Sequence, residues 1–253
     1  MTFLPSLLLP DGMTDLVFCL LIALSFAGSL ISVSFGLGGG AMLLAVMATL
    51  VPPAALIPTH GVIQLGSNLA RASLLFRNIH RPALPAFALG SVLGVTLGGS
   101  VAVNLPPAWV QIGVGGFIAW SVLGRPPRGV RDWPFLVGLV SSILTMFFGA
   151  TGPFVATYVK ALALPRHAVV ATQAALMCVQ HVVKTIVFGL LGFAFADWWA
   201  FIAAMILAGF LGTLTGRRVL NRIDDRRFRR VLNAILLLLA ARLVYAGLRA
   251  LLG

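Results

Sequence analysis

Apolar runs broken by proline, glycine and charge divide the chain into ten segments, at about 15–35, 41–51, 57–76, 83–103, 108–123, 134–148, 153–164, 168–193, 198–216 and 230–248. Most approach the ~17–25 residues an α-helix needs to cross a bilayer. The pattern therefore predicts an all-α, polytopic membrane bundle. Segments 2 and 7 are short, and each follows a glycine-containing break: FGLGGG (Phe35–Gly40) and FGATGP (Phe148–Pro153). A glycine inside a helix costs about 1 kcal/mol against alanine. These two segments are expected to be half-spans completed by irregular backbone. Open backbone facing lipid costs several kcal/mol per unpaired group, so the breaks are expected to face protein, water or a ligand.

The two breaks also mark a repeat. FGLGGG aligns with FGATGP at a shift of 113 residues, and the same shift sets Thr59 on Thr172 and Arg71 on Lys184. With a few residues of insertion, LGVTLG (93–98) meets LGTLTG (211–216). Each half holds five segments, an odd number, so the second half should enter the membrane upside down. The expected organisation is a repeat over 1–124, a cytoplasmic linker over 125–132 and an inverted repeat over 133–253. Inverted repeats characterise many secondary transporters, whose substrate site lies near midplane where the halves meet. The spacings Gly94/Gly98 and Gly212/Gly216 read as close helix packing; the Gly38–Gly40 run reads as ligand-facing.

Composition supports a membrane location. The chain is 60% hydrophobic and 9% charged, with mean hydropathy +1.04. It has 18 Lys+Arg against 6 Asp+Glu, a net charge of +12. That charge does not point to nucleic acid, because the basic residues punctuate apolar segments instead of forming a soluble face. With the N-terminus outside and ten crossings, the cytoplasmic side receives Arg77, Arg81, Arg125, Arg128, Arg131, Lys160, Arg166 and the run from Arg217 to Arg230. Asp11, Asp15 and Asp197 fall outside, where only Arg249 breaks the positive-inside pattern. Both termini are thus expected outside. Trp109, Trp133, Trp198 and Trp199 fall at segment ends, as an aromatic belt predicts. Cys19 and Cys178 lie in apolar runs, which argues against a disulfide framework. The opening MTFLPSLLLPDGMTD lacks a positive n-region and reads as an extramembrane lead-in rather than a signal peptide.

Segments 3 and 8 carry polar stripes. His60, Gln64, Ser67, Asn68 and Arg71 share one helical face of segment 3; Gln173, Gln180, His181 and Lys184 share one of segment 8. Lipid penalises such residues, so both stripes should face the interior. There is no Glu anywhere and no Asp in either stripe, so a small anion is the expected counter-charge for Arg71 and Lys184. Snorkelling to the interfaces is the competing role for these two cations. His60 and His181 could carry protons, the candidate coupling ion; hydrogen bonding to a neighbouring helix is the structural alternative for His60. Arg242, deep in segment 10, is expected to pair with Asp197.

GLGGG followed about twenty residues on by IPTHG, with a degenerate second copy in GATGP and VATQA, resembles the TauE/SafE family of sulfite and sulfonate exporters. The resemblance runs from about Ser25 to Leu248. It implies a multi-pass bacterial inner-membrane protein that moves small sulfur-containing anions. The expected function is a secondary transporter working by alternating access, with an anion channel or an intramembrane enzyme as alternatives. No hydrolytic or metal motif supports an enzyme, and no cofactor is expected. The anion would lie between the breaks, held by backbone N–H groups near Gly38, Gly39, Gly40 and Gly152. Arg71 and Lys184 would attract it, and Thr59, His60, Asn68, Thr172, Gln173, Gln180 and His181 would orient it. The sequence leaves the oligomeric state open, a homodimer included.

Overall fold

The computed structural model describes residues 9–10, 12–35, 38–102, 106–124, 132–149, 151–219 and 225–252. Most of the lead-in, Gly36 and Leu37 of the first break, and the linker 125–131 with its three arginines lie outside these residues, as do parts of the NLPP loop and of the basic run after Arg218. Among the described residues there are ten α-helices and no strand. They are α1 (Asp15–Phe35), α2 (Gly39–Leu50), α3 (Pro53–Leu74), α4 (Leu84–Ala102), α5 (Pro107–Leu123), α6 (Pro134–Phe148), α7 (Gly152–Ala161), α8 (Arg166–Leu190), α9 (Trp199–Val219) and α10 (Asp225–Leu252). Helical stretches at 15–34, 81–99, 166–190, 195–218 and 233–252 are long and apolar enough to cross a bilayer alone. The protein is therefore an all-helical, multi-pass membrane protein. The helix α3 is 22 residues long but does not qualify on hydropathy, because its polar face dilutes the apolar one.

The short segments are half-length helices. At 1.5 Å per residue, the 12 residues of α2 and 10 of α7 span roughly 18 and 15 Å, about half of a ~30 Å hydrocarbon core. The starting geometry is set by glycine: Gly38 has φ 103° and Gly149, which ends α6, has φ 74°. Such angles suit glycine because a Cβ would clash with the following carbonyl. The third helix begins four residues before its apolar run. Pro53 fits the first turn, where no N–H is needed. Pro58 lies inside the helix, and its missing N–H leaves the Ala54 carbonyl without a helical donor.

Pairing of helices is set by glycines that admit a neighbouring backbone. Gly90, Gly94 and Gly98 of α4 face Phe135, Leu139 and Ile143 of α6, so these helices run parallel. Gly209, Gly212 and Gly216 of α9 face Ser29, Phe26 and Leu30 of α1, also parallel. By contrast α5 and α10 are antiparallel, with Gly115 against Ala240 and Gly247 against Ala108. Antiparallel packing recurs for α3 and α8: Gly61 near the start of α3 meets Lys184 late in α8, while His80 beyond α3 bonds Thr172 early in α8. The packing reading of Gly94/Gly98 and Gly212/Gly216 is thus met. Advancing each first-half helix by five and setting each second-half helix back by five maps the α1–α9 contact onto α6–α4. It also maps α3–α9 onto α8–α4 and leaves α3–α8 and α5–α10 as self-pairs.

Two ends follow from these directions. One, the basic end, holds Arg77 and Arg81 after α3, Lys160 and Arg166 between α7 and α8, and Arg217 and Arg218 at the close of α9. The opposite end holds Asp15, Asp197 and Arg249, with Trp109 and Trp199 exposed at helix starts; Trp133, at the start of α6, is exposed at the basic end, because α6 runs parallel to α4. Arg242 does not pair with Asp197. The glycine-mediated contact of α10 with α5 turns Arg242 outward beside Tyr245 and Arg249, whereas Asp197 precedes α9, which is packed on α1.

Candidate functional site

The starts of α2 and α7 meet the polar faces of α3 and α8 at a central cavity of about 40 Å³. At ~10–15 Å³ for each water-sized occupant, that is room for roughly three such groups. Gly38, Gly40 and Ala41 line it from the first break, and Gly149, Gly152 and Pro153 from the second. His60, Gln64, Asn68 and Arg71 face it from α3, and Gln173, Met177 and His181 from α8. Ser32 of α1 completes the wall. Neither α2 nor α7 has a side-chain cap at its N-terminus. The positive end of the helix dipole makes each start favourable for negative charge; at α7 the first turn offers fewer donors, since Pro153 has no N–H and Phe154 donates to the Thr151 carbonyl at 3.0 Å.

Each break is held from the neighbouring long helix in the same way. His60 Nε2 lies 3.1 Å from the Gly40 carbonyl oxygen. A carbonyl only accepts, so this nitrogen donates. Gln173 Nε2 donates to the Gly152 carbonyl at 3.0 Å. His60 and Gln173 are 113 residues apart, the shift that aligns the two breaks. The Gln64 amide lies 3.2 Å from His60 Nε2, and it fills the space a side chain on Gly40 would need.

The two buried cations have different surroundings. Arg71 is 6% exposed. Its Nη2 donates to Asn68 Oδ1 at 2.7 Å and its Nε to the Ser67 carbonyl at 3.4 Å. The guanidinium thus turns back along α3 into the cavity and does not snorkel to the basic end. Lys184 is fully buried, and its stem crosses α3 at Gly61, where only a glycine leaves room. Its Nζ is 3.5 Å from Thr145 Oγ1, and that hydroxyl donates to the Gly149 carbonyl at 3.1 Å. Among the described residues neither cation has a carboxylate partner.

The sequence-derived residues divide accordingly. Gly38, Gly40, His60, Asn68, Arg71, Gly152, Gln173 and His181 line the cavity. The other five lie behind it. Gly39 is seated against the backbone of Gly28. Thr59 donates to the Ala55 carbonyl at 2.6 Å, and Thr172 accepts from the His80 N–H at 2.9 Å. Gln180 accepts from Thr151 Oγ1 at 2.8 Å and donates to Ser141 and Ser142 at 2.9 and 3.0 Å. Lys184 acts through Thr145 on the second break. Ser32 was not anticipated, although Ser25, Ser29 and Ser32 recur at i, i+4, i+7 along α1, a helical stripe visible in the sequence.

A larger cavity, about 450 Å³, opens at the end opposite the basic one. Its walls are mostly apolar and include Pro53, Ile57, Met146, Phe147 and Phe193. Ile57 lies against Gly149, one residue layer from the central cavity. At the basic end Arg166 Nη2 donates to the Ser34 carbonyl at 2.7 Å.

A bundle of membrane-spanning helices enclosing a charged central cavity between two half-length helices is the architecture of a membrane transporter. The family model described as Sulfite exporter TauE/SafE matches residues 20–243. The chain belongs to this family, whose members are transporters. No curated relative and no solved structure matches the chain.

Proposed function

We propose that the protein is a secondary transporter that exports a small sulfur-containing oxyanion, such as sulfite or an organosulfonate, across a bacterial inner membrane. The observation that carries this reading is the meeting of two uncapped helix starts with Arg71 in one buried cavity that holds no carboxylate. The anion oxygens would accept from the first-turn N–H groups of α2, from the Gly152 N–H of α7 and from Arg71; Asn68, Gln173 and His181 would orient it. Lys184 and Gln180 support the second break from behind. With the basic end in the cytoplasm, the distribution of Arg and Lys obeys the positive-inside rule and both termini lie outside. An inside-negative potential then favours anion exit by about 2.3 kcal/mol per charge per 100 mV.

Alternating access between two inverted five-helix repeats is supported by the parallel α4–α6 and α1–α9 pairs and the antiparallel α3–α8 and α5–α10 pairs. It is supported further by an asymmetry between the ends. Pro53 and Phe147 line the open cavity; shifted by 113 residues they correspond to Arg166 and Ser34, which are bonded to each other at the basic end. One end is open where its counterpart is latched, which favours a carrier over a continuous pore.

The test is thermal unfolding of the purified protein with sulfite, methanesulfonate or chloride, joined to efflux of labelled sulfite from vesicles. The two sulfur anions should stabilise and chloride should not. Arg71→Ala removes charge-assisted hydrogen bonds worth about 1.5–3 kcal/mol, so anion affinity should fall roughly 10–150-fold. Unchanged affinity and efflux in this variant would refute the site.

A further inference from the structure

We infer that the anion carried by this site bears a hydrogen-bond donor of its own, on the side away from its charged oxygens; this rests on the reading of the central cavity as the substrate site. The reasoning starts from which polar atoms the site leaves unused. Gln173 is 5% exposed, and its Nε2 is committed to the Gly152 carbonyl. That bond fixes which end of the amide is which, since the reversed amide would set oxygen against oxygen. The remaining atom, Gln173 Oε1, is buried and has no partner among the described residues. His60 repeats the arrangement on the other side of the cavity. It is 1% exposed, its Nε2 donates to the Gly40 carbonyl, and its Nδ1 is buried and unpartnered.

Each half thus sets a side-chain nitrogen on the carbonyl of a break, and in the second half the acceptor left over is Gln173 Oε1. Arg71, the N–H groups at the start of α2 and the Gly152 N–H of α7 supply donors for anion oxygens. An aprotic oxyanion satisfies these donors but leaves Gln173 Oε1 without a partner. A buried acceptor left unpaired is costly, and a site built around a polar pair rejects an isostere that lacks one partner. An oxyanion carrying O–H or N–H, such as hydrogensulfite or an amino-substituted sulfonate, satisfies these donors and also donates to Gln173 Oε1.

Sulfamate and methanesulfonate test this. Both are singly charged, with three sulfonyl oxygens and nearly equal size, and they differ in NH₂ against CH₃. Thermal unfolding of the full chain is titrated with each, and each is used to compete with labelled sulfite for efflux. The wild type should bind sulfamate at least about tenfold more tightly, and Gln173→Met should lower the ratio of sulfamate to methanesulfonate affinity. Equal binding of the two probes by the wild type overturns the inference and leaves the transporter reading intact, a result that needs no variant to fold. Failure of both probes and of sulfite to bind overturns the substrate site and the inference with it. Stronger binding of methanesulfonate overturns the inference alone.

Discussion

Substituting Gly39 by alanine tests the claim that the start of α2 is held in place because backbone meets backbone there. A Cβ on Gly39 would overlap the Gly28 carbonyl oxygen, and one on Gly28 would meet the Gly39 carbonyl oxygen at 2.9 Å. Both obstacles are main-chain atoms, so no rotamer change relieves them. The start of α2 must shift away from α1, carrying Gly40 and Ala41 with it. Overpacking of a tight interior costs about 1–3 kcal/mol, and an unyielding neighbour puts Gly39→Ala at or beyond the upper end. Gly116 of α5 is the control, since a Cβ there meets nothing within 4 Å. Gly116→Ala should be neutral or slightly stabilising, as alanine is the better helix former. The assay is thermal unfolding of both variants in one detergent, with sulfite titrated into each. Gly39→Ala should melt lower and bind sulfite more weakly, because the displaced residues line the cavity. Equal melting of the two variants would refute the packing argument; a destabilised Gly39→Ala with unaltered sulfite affinity would refute the link from α2 to the site.

Gln180→Leu strands Thr151 and Ser142, each worth about 1–3 kcal/mol if left buried and unpaired, while Ser141 keeps its bond to the Gly138 carbonyl. The variant should lose stability before it loses anion affinity, and the reverse order in a combined unfolding and binding titration would return Gln180 to the cavity wall. Arg166→Ala removes the bond to the Ser34 carbonyl that latches the basic end. In a background lacking Cys19 and Cys178, a cysteine replacing the buried Val170 should then react faster with an impermeant maleimide, roughly tenfold for a lost charge-assisted bond. An unchanged rate would show that the latch does not hold that end shut.

Much of this was legible in the sequence because bilayer physics writes it there. Long apolar runs gave the helices, and glycine breaks gave the half-spans, since neither helix nor open backbone survives in lipid otherwise. Polar stripes at helical spacing gave α3 and α8 as the cavity walls. What the stripes could not give was depth behind the wall. Gln180 and Lys184 share a face with Gln173 and His181, yet they sit beside α6, where Ser141, Ser142 and Thr145 take up their polar atoms. Periodicity locates a face but not which neighbour covers each part of it. Arg242 failed for the same reason: its depth in α10 was readable, but the direction it faces depends on the glycine contacts with α5.

The proposed repeat accounts for the different work of the two cations. Its skeleton is conserved between the halves in geometry: His60 and Gln173 each hold a break carbonyl, and the Ser29–Ser67 bond at 2.8 Å recurs as Ser142–Gln180 at 3.0 Å. The halves differ in what fills that skeleton. In the first, Asn68 at i−3 draws the guanidinium of Arg71 into the cavity. In the second, position 181 is histidine, and Thr145 instead draws Lys184 behind the break. The cavity wall therefore carries one permanent positive charge where the sequence suggested two. One cation neutralises a monoanion; a dianion would leave charge uncompensated in a medium of low dielectric, at a cost far above that in water. A singly charged oxyanion that keeps a proton matches the wall on both counts, with its charge against Arg71 and its donor toward Gln173.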